Sequence, residues 1–519
     1  MTDAPWQGDA SSLVEAFRKG ERSPREEMEA TLNAIEASEL NAFSYLDADA
    51  ALESADSADI WKPFGGVPFA IKELDQVAGW PDTQASLVFK GRKAVETSPY
   101  VDRAVNVGGF APVGLTSASE FGGLNISVTK LNGVTRNPWN TTQTVGGSSS
   151  GSAAAVSGGL VTIASGGDGG GSIRIPAGYT GLVGMKGTFG RIPRGPEAPS
   201  RPNTVVHGAL ARSVRDVARF YDVTCGEHLW DPLSLPNPGN WEANLGTYDL
   251  KGRKVAVIPN LGNIALEDGV AERISEHADA LIVAAGMVKV DLAVELENIT
   301  AEWAIGNLSV LLAELGDRWP ACAPLLTNAI SDGLKIATSF YNLHTAAVAE
   351  AKRMHLQRQL ADAFGAVDFI ICATNPGPAF PADWETSKPL PGVLDKVRNG
   401  PVGRGAQKMA FGGVRAAAGV IPTTPVKILG AVAQRSPEMF EMGGLTIPSN
   451  IYGNPAVSIP AGTVRDLPIG MQVLARHHAD ALLLDLALVA ERQLPWPLLA
   501  PHSPQVSAPV PTGHGGAGS

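Results

Sequence analysis

The sequence predicts an α/β protein folded as one large domain. Two observations carry that expectation. Short apolar runs of strand length alternate with helix-length segments from about residue 9 to residue 493, as in a sheet layered with helices. No internal repeat or linker divides this stretch, although 519 residues could hold two or three domains by length alone. Glycine supplies 58 residues, about 11 % where ~7 % is usual, which implies many tight turns and close backbone approaches.

Taken in order, residues 1–58 read as an N-terminal helical segment. Ser23-Pro24-Arg25-Glu26 is a capping box with proline at the first helical position, where its missing N–H costs nothing. Met28, Leu32 and Ile35 recur at spacings of four and three and define one buried stripe. Residues 59–295 read as the core that carries the chemistry. Residues 67–71 and 110–115 are its clearest strands, and the run 160–164 ends just before Asp168. Ser152-Ala153-Ala154-Ala155-Val156 opens a helix, 255–259 is a compact strand and about 267–286 another helix. Residues 296–445 form a helical and loop excursion, interrupted by a buried strand at 368–373. Residues 446–500 return to the core and close with a helix over 479–493. The tail 501–519 is rich in Pro, Gly and Ser and is expected to be disordered.

Composition excludes several functions. Lys+Arg 41 against Asp+Glu 52 leaves a net charge of −11 with no basic run, a poor match to phosphates, so no nucleic-acid partner is expected. Cys225, Cys322 and Cys372 are odd in number and widely spaced, which argues against a disulfide framework or a zinc site. They fit a reducing compartment. Met1-Thr2-Asp3-Ala4-Pro5 shows no basic n-region and no apolar run, and apolar stretches such as 152–165 are short. Neither a secretory leader nor a membrane span is expected, and the chain reads as cytoplasmic, a monomer or homodimer.

The chemistry concentrates in two serine-bearing, glycine-rich segments and one lysine. The segments are Gly146-Gly147-Ser148-Ser149-Ser150-Gly151-Ser152 and Asp168-Gly169-Gly170-Gly171-Ser172-Ile173-Arg174, and the lysine is Lys72 in Gly66-Val67-Pro68-Phe69-Ala70-Ile71-Lys72-Glu73. Serine is a poor nucleophile until a base takes its proton, and a buried lysine kept neutral can be that base. Glycines before a serine leave backbone N–H groups free to face an oxyanion. Apolar runs deliver Lys72 and Asp168 to strand ends, where ligands collect in open α/β sheets. No metal or other cofactor is called for. Glycine-rich, serine-rich segments are more often plain loops, and a strand-end lysine is more often a surface residue, so it is their combination that carries the reading.

These segments resemble the amidase signature family. So do Glu120-Phe121-Gly122, Asn137-Pro138-Trp139-Asn140, Gly184-Met185-Lys186, Asn454-Pro455-Ala456-Val457-Ser458 and Leu467-Pro468-Ile469-Gly470. The family separates its two serines by 24 residues, and here 172 − 148 = 24. The resemblance implies a central mixed sheet covered by helices on both faces. It implies Ser172 as nucleophile, Ser148 as relay after a cis peptide bond from Gly147, and Lys72 as base. Backbone N–H groups of Gly169, Gly170, Gly171 and Ser172 would form the oxyanion hole. Gly169 departs from the threonine often found there.

The family hydrolyses many amides, and some of its members cleave carbamates. Here a bulky, aryl or oligomeric amide is expected, with water as second substrate, and carbamate or ester cleavage by the same serine is chemically plausible. Trp303 and Tyr341, in an apolar stretch with Leu311, Leu312, Trp319 and Phe340, are expected to roof the pocket together with the 400–445 loop, although ordinary core packing explains such residues equally well. Two alternatives stay open. One is the glutamine-hydrolysing subunit of a tRNA-dependent amidotransferase. The other is an esterase with Ser149 at the centre of Gly147-Ser148-Ser149-Ser150-Gly151, which would need a downstream acid and a histidine such as His207, His344, His477 or His478.

Overall fold

A computed structural model describes residues 4–196, 203–340, 342–383, 442–501 and 503. Its centre is an eleven-stranded mixed sheet. In chain order the strands are β1 (Phe43–Leu46), β2 (Pro68–Lys72), β3 (Ala111–Thr116), β4 (Ile163–Asp168), β5 (Val183–Lys186), β6 (Val206–Ala211), β7 (Lys254–Val257), β8 (Val288–Lys289), β9 (Phe369–Ala373), β10 (Ala456–Val464) and β11 (Leu467–Ala475). Across the sheet they lie β1-β3-β2-β4-β6-β5-β10-β11-β9-β7-β8. β2 runs parallel to both β3 and β4, and β7 to both β8 and β9, while the six pairings from β4 through β6, β5, β10 and β11 to β9, and from β1 to β3, are antiparallel.

Both faces of the interior strands are buried, which explains why β2 and β9 read as near-continuous apolar runs. Phe69 and Ile71 of β2 pack into one core, while Ala70 between them packs into another. Ala209 and Ala211 of β6 likewise face the first core and Leu210 the second. The first core takes apolar residues from α1 (Ala10–Lys19), α4 (Pro99–Asn106), α7 (Val214–Thr224), α8 (Val270–Ala285) and α13 (Asp480–Gln493). The second takes them from α2 (Pro24–Ala37), α3 (Ala48–Asp56), α5 (Ser150–Ser157) and α6 (Arg174–Thr180). Every residue of α5 is buried, as its run of small side chains allows.

The expected capping box starts α2: Ser23 accepts from the Glu26 N–H, and Glu26 accepts from the Ser23 N–H. Met28 is fully buried, with Leu32 and Ile35 packed beside it. The N-terminal segment is not wholly helical, however. Phe43–Leu46 pairs antiparallel with β3 as an edge strand. Four residues between two helices are too few to show a period of two against a helical background.

The later excursion builds α9 (Thr300–Leu315), α10 (Asn328–Phe340) and α11 (Leu343–Ala366). Leu311, Leu315, Leu326, Ile330 and Leu334 form a small core with Phe89 and Cys322, against which Leu312 and Trp319 pack. Glu120 anchors this unit: its carboxylate accepts from the Thr327 N–H and hydroxyl at 2.8 and 2.7 Å and from Ser86 at 2.7 Å. A short helix α12 (Ile447–Tyr452) follows. Tyr341, nearly all of the 400–445 loop and nearly all of the 501–519 tail lie outside the described residues. Among the described residues no helix is long and apolar enough to cross a membrane.

Candidate active site

β2 and β4 end side by side and bring Lys72 and Asp168 to the same edge of the sheet. Lys72 is buried, and its ammonium nitrogen donates to Ser148 Oγ at 2.8 Å, Ser149 Oγ at 2.9 Å and the Gly167 carbonyl at 3.3 Å. Burial holds its pKa down to about 8, against the partial support of Asp75, Asp168 and Glu73. A lysine so placed gives up its proton at mildly alkaline pH, well below a free lysine.

Ser148 follows a cis peptide bond from Gly147. The Ser149 N–H donates to the Ser172 carbonyl at 3.2 Å, so the two serine segments are tied by their backbones. Ser172 sits at the mouth of the loop, 5 % exposed. Its Oγ makes no hydrogen bond among the described residues.

The glycine loop before Ser172 is held carbonyl by carbonyl. The Asp168 carbonyl accepts from Asn450 Nδ2 at 2.9 Å, Gly169 from the Trp303 indole N–H at 3.2 Å, Gly170 from Thr446 Oγ1 at 2.6 Å and Gly171 from the Ile175 N–H at 2.7 Å. Each trans peptide is planar, so fixing a carbonyl aims the next N–H the opposite way. The N–H groups of Gly169, Gly170 and Ser172 have no acceptor among the described residues. Gly171 differs from expectation: its N–H donates to Asp168 Oδ1 at 2.7 Å. Of the four N–H groups expected to face an oxyanion, three are thus without an acceptor among the described residues, and that of Gly171 is engaged. Glycine is required here by contact as well as conformation. A Cβ on Gly170 would lie 2.5 Å from the Trp303 ring, and one on Gly171 (φ +123°) 2.3 Å from Thr446 Oγ1.

Asp168 and Arg174 form the buried hub beneath this loop. Arg174 reaches both Asp168 oxygens at 2.9 Å and also donates to Ser449, Gln472, Asn450 and the Thr446 carbonyl. Burial opposes ionisation of Asp168, but the Arg174 guanidinium and the hydrogen bonds from Arg174 and Asn450 outweigh it and hold the carboxyl well below its ordinary range. Sequence reasoning placed Asp168 and Arg174 in the motif without assigning them this function, and it passed over Thr446 and Asn450 altogether.

Trp303 lies beside the cradle, while Tyr341 is outside the described residues. Val205 and Ile447 also approach Gly169 and Gly170, so the surroundings are apolar. Ser149 does not fit a nucleophile elbow. It is fully buried, and its Oγ pairs with Lys72 and the Gly167 backbone rather than a histidine. No cluster of His, Cys, Asp and Glu among the described residues could hold a metal ion.

The comparisons with known proteins converge. A family profile, Amidase, matches residues 26–399. A glutamyl-tRNA(Gln) amidotransferase subunit of Akkermansia muciniphila is 31 % identical over 92 % of this chain and 97 % of its own. An acylamidase of Rhodococcus erythropolis is 28 % identical over 94 % and 95 %. A solved 6-aminohexanoate cyclic dimer hydrolase in complex with substrate superposes with a TM-score of 0.78 at 26 % identity, covering 94 % of this chain and 98 % of that one. With a lysine, two serines and a pinned glycine loop in one buried constellation, the chain belongs to the Amidase family of amide-hydrolysing enzymes.

Proposed function

We propose that Ser172 is the nucleophile, Ser148 the proton relay and Lys72 the base. The observation that carries this reading is the 2.8 Å bond from Lys72 to Ser148 beside three free N–H donors that end at Ser172. Ser172 Oγ attacks the amide carbonyl as its proton passes to Ser148, and the Ser148 proton passes to Lys72. The N–H groups of Gly169, Gly170 and Ser172 take up the charge on the oxyanion. Lys72 then returns a proton through Ser148 to the leaving nitrogen, because an amide anion is far too basic to depart. Water repeats the sequence to release the acid and free Ser172.

The substrate is a bulky, aryl or oligomeric amide. Val205, Trp303 and Ile447 around the cradle favour an apolar acyl group, and likeness to the cyclic dimer hydrolase agrees with an oligoamide. A second reading, the glutamine-hydrolysing component of an amidotransferase, is supported by the 31 % identity to the Akkermansia muciniphila protein. The purified chain should hydrolyse an anilide and a linear oligoamide without any partner, and a sulfonyl fluoride should label Ser172. Activity confined to glutamine would favour the amidotransferase, and labelling at Ser149 would overturn the assignment of roles.

A further inference from the structure

Three carboxylates favour the charged form of Lys72 against its burial: Asp75, Asp168 and Glu73. Two of them are accounted for. Asp168 is matched by Arg174 at 2.9 Å. Glu73 accepts from the Ala118 N–H and from Asn132, and burial pushes its pKa up to about 7, so much of its charge is absent near neutrality. Asp75 is in a different position. Its N–H closes a turn onto the Lys72 carbonyl at 2.9 Å, and among the described residues its carboxylate forms no ion pair with any Arg or Lys.

That carboxylate is nonetheless firmly held. It accepts from the Tyr100 hydroxyl, and Ser165 Oγ lies 3.5 Å away. Ser165 in turn accepts from the Lys72 backbone N–H at 2.8 Å, which joins the group to the strand that carries the lysine. His207 completes the array, with Nδ1 3.5 Å from Asp75 Oδ1 and its ring stacked on Tyr100 at 4.5 Å and 22°. Burial keeps the His207 pKa below its ordinary value among Asp75, Arg194, Lys72 and Asp231, so the imidazole is neutral when the enzyme works. His207 Nδ1 and Lys72 Nζ both border Gly167. Each lies 3.9 Å from the point where a side chain there would begin.

The relay leaves a transient ammonium on Lys72 in each half-reaction, in a place where burial disfavours charge. We propose that Asp75, fixed by Tyr100 and flanked by His207, is the positioning residue of Lys72 and balances that ammonium while the proton resides there. The arrangement is analogous to a triad carboxylate that stabilises an imidazolium without taking its proton. No proton is gained or lost over the cycle: the one that arrives from Ser172 departs to the leaving nitrogen. The proposal rests on reading Lys72 as the base.

The test is the pH profile of kcat/KM on an anilide for the wild type, Asp75→Asn and Tyr100→Phe. Asp75→Asn removes the counter-charge, so the acid limb should move to lower pH by about one unit while the plateau falls. Tyr100→Phe strips a hydrogen-bond donor from the Asp75 carboxyl and leaves its negative charge less satisfied toward Lys72, so the limb should move the other way. A merely structural role predicts lost activity with an unmoved limb, or shifts of one sign in both variants. Either result overturns the proposal. If Asp75→Asn does not fold, an unmoved limb in Tyr100→Phe suffices to do so. Sulfonyl fluoride labelling of Ser172 in the same preparations separates the two readings. Labelling with an unmoved limb refutes only the function of Asp75, whereas absent labelling of the wild type refutes the nucleophile.

Discussion

Trp303→Phe should lower kcat without altering KM. The substitution removes the indole N–H that binds the Gly169 carbonyl at 3.2 Å, yet keeps an aromatic ring over Gly170. A hydrogen bond of this kind is worth about 1 kcal/mol net, which is roughly fivefold in rate. Loss of an entire oxyanion donor costs on the order of 10²–10³ in kcat, and this sets the ceiling, because the variant loosens one peptide without deleting its N–H. Trp303→Ala removes the ring as well and should approach that ceiling. The assay is steady-state kinetics on a small primary amide and on a bulky anilide. An interaction that acts on the transition state lowers kcat equally on both. If Trp303→Phe instead leaves kcat intact and Trp303→Ala raises KM only for the anilide, Trp303 is a pocket wall and its bond to Gly169 is incidental.

Lys72→Ala should cost far more on an anilide than on a matched nitrophenyl ester, whose leaving group needs no proton; equal losses in the two kcat/KM ratios would assign Lys72 a structural role. For the wild type, kcat/KM should rise from acid pH, pass half its maximum near 8 and level off about one unit above, since burial lowers the Lys72 pKa to about 8 and the proposed base acts as the neutral amine; a flat profile across that range would count against a lysine base. Arg174→Met leaves the Asp168 charge buried and unpaired, and should destabilise the fold by about 3–5 kcal/mol in urea unfolding at neutral pH. The Asp168 carboxyl is depressed in the folded state, so its contribution is complete above the unfolded value of ~3.9 and is lost as pH falls through the folded value; the gap between the two proteins should therefore narrow in acid.

Strand and helix order was legible because both faces of the interior strands are buried. Phe69, Ala70 and Ile71 are apolar in succession since each meets one core or the other. The edge strand Phe43–Leu46 escaped notice for the converse reason: its residues alternate between half-buried and exposed within a stretch dominated by helix signals. That Lys72 and the two serine segments lie together at the ends of β2 and β4 could be anticipated from motif order and strand ends. The apolar residues 300–345 could not be sorted in advance. Leu311, Leu312 and Trp319 pack into a small core of their own, whereas Trp303, one helix turn into α9, reaches the glycine loop.

Which N–H groups of that loop are free was beyond the reach of composition. Glycines make many loop conformations accessible, and by the same freedom they select none. Selection comes from residues far along the chain: Trp303, Thr446 and Asn450 lie 134, 276 and 282 positions from the carbonyls they bind. Those separations carry no helical or strand period, so nothing in the sequence marks the three as partners of the loop. Asp168 contributes in the opposite sense, since its carboxylate consumes the Gly171 N–H that a count of glycines would assign to the oxyanion. The cradle is therefore a product of tertiary structure built on a permissive sequence. Substitutions at Thr446 or Asn450, remote from Ser172 in the chain, should act on kcat as Trp303→Phe does rather than on substrate preference.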